Sequence, residues 1–451
     1  MNDTIVAIST TVGVGAISII RLTGKDSIEI VNNNFKGKNL NGVDSHTINY
    51  GHIIYNNEMI DEVLVSIMKA PKTFTTENVV EINCHGGIST TNKILEIMLL
   101  AGARLATPGE FTKRAFLNGR IDLVESESVI DLINSKNNEQ RQMALSNLNK
   151  TLSNLINNFR NNLKDLLSQI EVNNDYPEYD DIEVVTKEKL ETSILEMKQK
   201  LNELIKESEN ITYIKEGIKT VIIGKPNVGK SSILNKLIEK DKAIVTDIPG
   251  TTRDIVEGEI QLDGIFLNII DTAGIRETDD LVEKIGVKKS VNLIEEADLV
   301  ILVLNQNENL TTEDLKILEK SKNKSRIIVL NKDDLEEKID ITKLNSKEIV
   351  KTNTNSIEGI VSLKNKIKEL YNTEKLQVKD YTYLSNSRQI ALAKKALINM
   401  NDAQQSLNDN IPIDMVAIDL KDCFENLGEI IGATYSNEII DNLFKNFCVG
   451  K

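Results

Sequence analysis

Gly224-Lys225-Pro226-Asn227-Val228-Gly229-Lys230-Ser231 has the spacing G-x-x-x-x-G-K-[ST] of a phosphate-cradling loop. The apolar run Ile218-Lys219-Thr220-Val221-Ile222-Ile223 ahead of it reads as a buried strand, and Ser231-Ser232-Ile233-Leu234-Asn235-Lys236-Leu237-Ile238 behind it reads as a helix. In that setting the glycines turn backbone N–H groups inward onto phosphate oxygens, and the helix N-terminus adds partial positive charge. Val228, Gly229 and Ser232 line such a cradle, Lys230 reaches the β- and γ-phosphates, and Ser231 ligates Mg²⁺.

Three further stretches follow in the order a nucleotide switch requires. Pro249-Gly250-Thr251-Thr252-Arg253-Asp254 is a loop whose hydroxyls, Thr252 above all, can complete a Mg²⁺ shell. Asp271-Thr272-Ala273-Gly274 follows an expected strand at Phe266–Ile270; its carboxylate can hold the metal's water shell and its glycine N–H can sense the γ-phosphate. Asn331-Lys332-Asp333-Asp334 follows an expected strand at Arg326–Leu330, and Asp334 can accept hydrogen bonds from guanine N1–H and the N2 amino group. Adenine lacks that donor pair and would leave the carboxylate unpaired, so the pattern points to a guanine-specific NTPase. Ile275 stands where Ras-type enzymes carry the glutamine that orients water, so another group must do so, with Glu277, Glu283 and Arg276 close downstream. Asn227 could ligate a monovalent cation or stabilise a turn.

The 451 residues exceed one core and suggest about three domains. A net charge of −14 confines any nucleic-acid contact to a local basic patch. Cys84, Cys423 and Cys448 show no paired spacing, and His46, His52 and His85 are too scattered for a zinc site. No apolar run reaches a bilayer span and the N-terminus lacks a leader pattern, so a cytosolic, reduced enzyme is expected.

Residues 1–118 read as an α+β domain, with strands at Thr4–Ile8, Ile17–Leu22, Val63–Met68 and Val79–Ile82 and a helix at Thr90–Leu100. Gly13-Val14-Gly15 lacks the third glycine and the βαβ context of a dinucleotide fingerprint. Taken alone, Arg21, Glu81, Cys84-His85-Gly86-Gly87 and Arg120 read as structural or surface positions. Leu145, Leu152, Phe159 and Leu166 recur every seven residues and predict one long amphipathic helix, broken at Tyr176-Pro177-Glu178. Leu190, Ile194, Met197, Leu201 and Leu204 predict a second. Helical spacing returns at Arg388–Leu407, Met415–Leu427 and Asn437–Phe447. The fold expected is therefore multidomain α/β. Its parts are the α+β domain, a discontinuous helical bundle at 119–215 and 376–451, and an inserted Ras-like P-loop domain with a parallel sheet at 216–375.

Across nearly its whole length the chain resembles the tRNA modification GTPase MnmE (TrmE) family. The stretches that carry the likeness are Asp3-Thr4-Ile5-Val6-Ala7, Pro108–Arg120, Gly224–Ser232, Asp247–Asp254, Asp271–Arg276 and Phe447-Cys448-Val449-Gly450-Lys451. The resemblance implies an N-terminal folate-binding domain that dimerises, a helical domain and an inserted G domain. It further implies a flavin- and NADH-using partner, MnmG, and an aminomethyl-type group built on C5 of a tRNA wobble uridine. The one-carbon unit would come from 5-formyl- or 5,10-methylene-tetrahydrofolate. Carried over, Arg21, Glu81, Arg120 and Lys451 correspond to folate contacts, and Asn227, Thr246, Ile248 and Thr251 to K⁺ ligands. Ser231 and Thr252 correspond to Mg²⁺ ligands, Glu283 to the glutamate that orients water, and Asp247, Ile248, Pro249 and Gly250 to the nucleotide-contacting loop. Cys448 reads either as a small core residue or as a thiol lining the folate pocket.

Departures from the family lie at Ser9-Thr10-Thr11-Val12, Asn305 and Thr352-Asn353-Thr354. Two competing readings remain: a ribosome-assembly GTPase that binds rRNA, and a scaffold in which GTP only switches dimer shape. Against the first, no second G domain, KH-type unit or basic tail is visible.

Overall fold

The computed structural model describes residues 3–175, 187–240, 256–262, 265–270, 292–344, 346–353, 358–371, 382–435, 437–445, 447 and 449–450. The chain divides into two compact units, Met1–Ser135 with Met143–Gln199 and Ala391–Lys451, and Lys136–Gln142 with Lys200–Ile390.

The first unit opens with β1 (Ile5–Ile8), β2 (Ile17–Thr23), α1 (Ser27–Asn32), β3 (Phe35–Gly37), β4 (Thr47–Tyr55), β5 (Glu58–Met68), β6 (Val79–His85), α2 (Ile88–Leu100) and β7 (Arg104–Leu105). Its seven strands lie in the order β3-β4-β5-β6-β2-β1-β7. Every pairing is antiparallel except β1 with β7. Alternation puts Val63, Val65, Ile67, Val80 and Ile82 in one core with Ile94, Ile97 and Met98 of α2. The opposite face keeps Ile17, Ile48, Tyr50 and Leu64 exposed. The four strands expected from sequence are present as β1, β2, β5 and β6, and Thr90–Leu100 lies within α2. β3, β4 and β7 were not anticipated. In β4 the apolar Ile48 and Tyr50 face outward while Asn49 and Gly51 are buried, the reverse of an ordinary strand pattern. Gly51 is required there, because a Cβ would lie 2.3 Å from the Phe35 ring. Gly13–Gly15 leads into β2 rather than a helix.

Helices follow at α3 (Glu110–Leu117), α4 (Leu123–Asn134), α5 (Asn138–Leu148), α6 (Thr151–Asp175) and α7 (Lys187–Glu216). The seven-residue stripe is correct within α6, where Leu152, Phe159 and Leu166 are buried with Ile156, Leu163 and Ile170. Leu145, however, belongs to α5, because the chain turns at Lys150, whose φ is +65°. Periodicity alone cannot register a turn that preserves phase. Leu190, Ile194, Met197, Leu201 and Leu204 are all buried on α7 as expected.

The second unit contains β8 (Ile218–Ile223), α8 (Lys230–Lys240), β9 (Val256–Leu262), β10 (Ile265–Ile270), β11 (Leu299–Asn305), α9 (Thr312–Lys320), β12 (Ser325–Asn331), β13 (Ile349–Thr352) and α10 (Glu358–Leu370). Six strands lie in the order β13-β12-β11-β8-β10-β9. The sheet is not wholly parallel as expected: β9 runs antiparallel to β10. A connection of two residues between them is too short for a crossover. β11 is buried along its entire length, as a central strand covered on both faces must be.

The chain closes with α11 (Ser387–Asn408), α12 (Ile413–Ile431) and α13 (Asn437–Phe444). In the first unit α12 packs along α6, with the Arg160 guanidinium 4.3 Å from the Phe424 ring centroid. α13 stops three residues before the expected end, where Phe447 N–H bonds back to the Phe444 carbonyl. Phe447 then packs with Phe116, Leu123, Ile440 and Phe444.

Candidate nucleotide and folate sites

The loop between β8 and α8 is shaped by residues that tolerate unusual backbone angles. Gly224 sits at φ +150°, and a Cβ there would lie 2.2 Å from the Val303 carbonyl oxygen, so no side chain fits. Asn227 follows at φ +63° and Gly229 at φ +103°. Lys230 begins α8, and its ammonium donates to the Gly224 carbonyl at 2.9 Å and the Lys225 carbonyl at 2.7 Å. Burial lowers the pKa of that ammonium. Asn227, Ser231 and Ser232 are exposed, whereas Val228 is buried.

The Asn331 end of β12 meets this loop directly. Its buried Nδ2 donates to the Val228 carbonyl at 2.7 Å, and its Oδ1 accepts from Thr352 Oγ1 at 3.1 Å. Three segments far apart in sequence are thereby tied at one end of the parallel strands. Lys332 takes φ +64°, and Asp334 lies exposed beyond it. Thr352, singled out in the sequence as a departure, is fully buried and holds the Asn331 amide. Asn305, another departure, closes a turn by donating to the Glu308 carboxylate and accepting from Asn307 N–H. Thr246, Asp247, Ile248, Pro249, Gly250, Thr251, Thr252, Asp271, Thr272, Ala273, Gly274 and Glu283 lie outside the described residues.

In the first unit the structure brings Arg21 and Glu81 together. They face each other across β2 and β6, with Arg21 Nε donating to Glu81 Oε1 at 2.8 Å. The chain's last turn arrives beside them. Gly450 offers its carbonyl to Arg21 Nη1 at 3.2 Å and to Ser9 Oγ at 3.0 Å. Ser9, noted in the sequence only as a departure, thus anchors the tail, and no local pattern could reveal it. Arg21 also lies 5.7 Å from the Phe111 ring centroid. Arg120 makes no direct contact with this pair; its guanidinium stacks on Phe74 at 5.0 Å and donates to the Phe74 carbonyl at 2.8 Å. It borders an open cleft of about 580 Å³ shared with His46, Lys72 and Asn118. Phe74 packs against the small core of Ile5, Ala7, Ala106 and Phe111, so both arginines flank one apolar cluster. Cys448 and Lys451 lie outside the described residues.

The neighbouring Cys84-His85-Gly86 stretch is held by local contacts. Cys84 is buried and its thiol donates to the Ser18 carbonyl at 3.4 Å. His85 Nδ1 lies 2.7 Å from Asp61 Oδ1, which raises the imidazole pKa. Gly86 lies against Gly15, where a Cβ would meet the carbonyl oxygen at 2.4 Å.

Comparison with known proteins adds two family matches: the MnmE helical domain over residues 123–448 and the GTP-binding protein TrmE N-terminus over residues 4–120. The chain is 51% identical over 450 residues to the tRNA modification GTPase MnmE of Streptococcus thermophilus, covering 100% of this chain and 98% of that one. It is 48% identical over 458 residues to the protein of the same name from Bacillus licheniformis, covering both chains in full (100% each). Among solved structures, the G domain of the T. maritima FeoB iron transporter is 32% identical, covering 34% of this chain and 98% of that one at a TM-score of 0.25.

Proposed function

Because the chain belongs to the MnmE family of tRNA modification GTPases, we propose that it hydrolyses GTP to drive modification of the wobble uridine of certain tRNAs. With MnmG it would add a carboxymethylaminomethyl or aminomethyl group to C5, using a tetrahydrofolate one-carbon unit. The tRNA part of this reading rests on the family, and the observation that carries its GTPase part is the 2.7 Å bond from Asn331 to the Val228 carbonyl, which joins the phosphate loop to the stretch bearing Asp334.

Lys230, already seated on the loop carbonyls, would neutralise the β- and γ-phosphates, and Asp334 would accept from guanine. Ser231 and Thr252 would hold Mg²⁺, and Asn227, Thr246, Ile248 and Thr251 would hold K⁺. The described members of that set fit, since Ser231 offers a hydroxyl and Asn227 an amide oxygen, the hard donors such cations take, at positions open to a ligand. Bound there, the two ions would supply positive charge against the charge that develops during phosphoryl transfer. Asp271, Thr272, Ala273 and Gly274 would line the γ-phosphate side, and Glu283 would orient water.

Arg21, Glu81, Arg120 and Lys451 would hold the folate. Glu81 fits this role, because among the described residues only its Oε1 is engaged, leaving Oε2 for a donor on a pterin edge. The two arginines flanking Phe111 and Phe74 suit an anionic, flat ligand. The exposed Ile48, Tyr50 and Leu64 on the open sheet face support a homodimer. The work on tRNA would be done in the cytoplasm. No described helix is long and apolar enough to cross a membrane. The division into 1–118, 119–215 with 376–451, and 216–375 is part of the same proposal.

Turnover of GTP and ATP by the purified protein, in KCl and in NaCl, tests this reading. Strong preference for GTP and faster turnover in KCl are expected. ATP turnover equal to GTP would sink the guanine assignment, and equal rates in both salts would remove the cation role of Asn227. Wobble nucleosides from cells lacking the protein should lose the C5 substituent.

A further inference from the structure

We propose that Asp314 is a positioning residue for the phosphate loop, acting through the side chain of Lys225 on how tightly nucleotide is held; this rests on the GTPase reading above. Lys225 is the second residue of the loop, and its carbonyl carries the Lys230 ammonium at 2.7 Å. Its own ammonium runs the other way and meets Asp314 Oδ2 at 2.6 Å, with side chains only 19% and 5% exposed. One lysine therefore links the group that would touch phosphate to a carboxylate on a different element.

That carboxylate is firmly mounted. Asp314 is the third residue of α9, and the same Oδ2 accepts from Thr311 N–H at 2.9 Å and Thr311 Oγ1 at 2.8 Å in a capping box. α9 in turn buries Leu318 in the core beneath the sheet. Around the ion pair, Val228, Leu304, Asn305 and Ile339 leave a crevice of only about 10 Å³, roughly one water. Glu308 also lines it, but that carboxylate takes the Asn305 amide. Among the described residues Asp314 is the carboxylate that pairs with Lys225, whose side chain is only 19% exposed, so removing the charge of Asp314 leaves a largely shielded ammonium without that partner. The lysine must then seek water, and its carbonyl loses the fixed plane on which Lys230 rests. A pair serving stability alone would lower the melting temperature and leave nucleotide binding untouched.

Asp314→Asn separates the two roles, because an amide oxygen in the place of Oδ2 still accepts from Thr311 and preserves the cap while the ion pair with Lys225 is reduced to a neutral hydrogen bond. KM for GTP should rise about three- to tenfold with kcat nearly unchanged, and dissociation of a fluorescent GDP analogue should quicken by a similar factor. Lys225→Met should raise KM in the same way and serves if the first variant folds poorly. Asp314→Asn added to Lys225→Met should have no further effect on KM. A wild-type KM in Asp314→Asn, or the same fold increase in both backgrounds, would overturn the inference while leaving the GTPase reading intact. Absence of GTP turnover in the wild-type protein would overturn both.

Discussion

The two sheets of this protein assemble their candidate sites by opposite means. In the six-stranded sheet, residues arrive from strand ends: Lys230 just after β8, Asn331 at the end of β12, Thr352 at the end of β13. Parallel strands point the same way, so their carboxyl ends collect at one rim, and each motif stays contiguous in sequence. The seven-stranded sheet is mostly antiparallel and has no common rim. There Arg21 and Glu81 meet by strand register, and Gly450 joins them from 429 residues away. One site is written as motifs; the other exists only once the chain's end has docked.

This contrast can be broken most forcefully at Arg114, the buried centre of the network beneath the second site. Its guanidinium donates to the Asp3 carbonyl at 2.9 Å, Asp3 Oδ1 at 2.8 Å, Glu77 Oε2 at 3.1 Å and Glu110 Oε1 at 3.1 Å. Arg114→Met would take the buried cation from Glu77 and leave Asp3 and Glu110 to Arg104 alone, a loss of about 3–5 kcal/mol. In chemical denaturation the folate-binding signal should disappear at lower urea than GTP binding does. Coincident transitions that move together would show that the two sites do not depend on separate supports.

A smaller effect is expected at Gly450, whose φ of +91° and 2.4 Å Cβ approach to the Ile8 carbonyl oxygen exclude a methyl group. Gly450→Ala should lift the tail from Arg21 and Ser9 and weaken binding of a reduced folate about tenfold, with GTP turnover unchanged. Titration calorimetry reads this directly, and an unaltered folate affinity would exclude the tail from the pocket.

The smallest effect concerns acid. Burial pushes the Asp3 and Glu110 pKa values up, but Arg104 and Arg114 outweigh it and hold both below the usual carboxylate range. Their contribution to stability is present above the ordinary carboxylate pKa and is lost as pH falls through the depressed folded values, below about pH 4. Arg104→Ala should flatten that acid dependence in thermal melts. A variant as acid-sensitive as wild type would assign the loss to other groups.

Much of the parallel sheet was legible because buried central strands are continuous apolar runs and phosphate binding demands glycines at stated spacings. The antiparallel sheet was read in part. β4 escaped because its exposed face carries Ile48 and Tyr50 while its buried face carries Asn49 and Gly51, so polarity misreports direction. The helical stripe was read through Leu145 into a neighbouring helix because a turn at Lys150 keeps the phase. The role of Asp314 was hidden for another reason: a capping residue on one helix and a loop lysine far upstream share no local pattern.

Local chemistry, then, was enough to establish what kind of ligand the Gly224–Ser231 loop is built for, since hydrogen-bonding geometry and backbone freedom are set within a few residues. Which distant groups stand beside one another was settled by folding, because Ser9 with Gly450, Arg21 with Glu81 and Lys225 with Asp314 meet through sheet register and packing. Those contacts depend on the whole arrangement of buried surface, and no short stretch of chain encodes them.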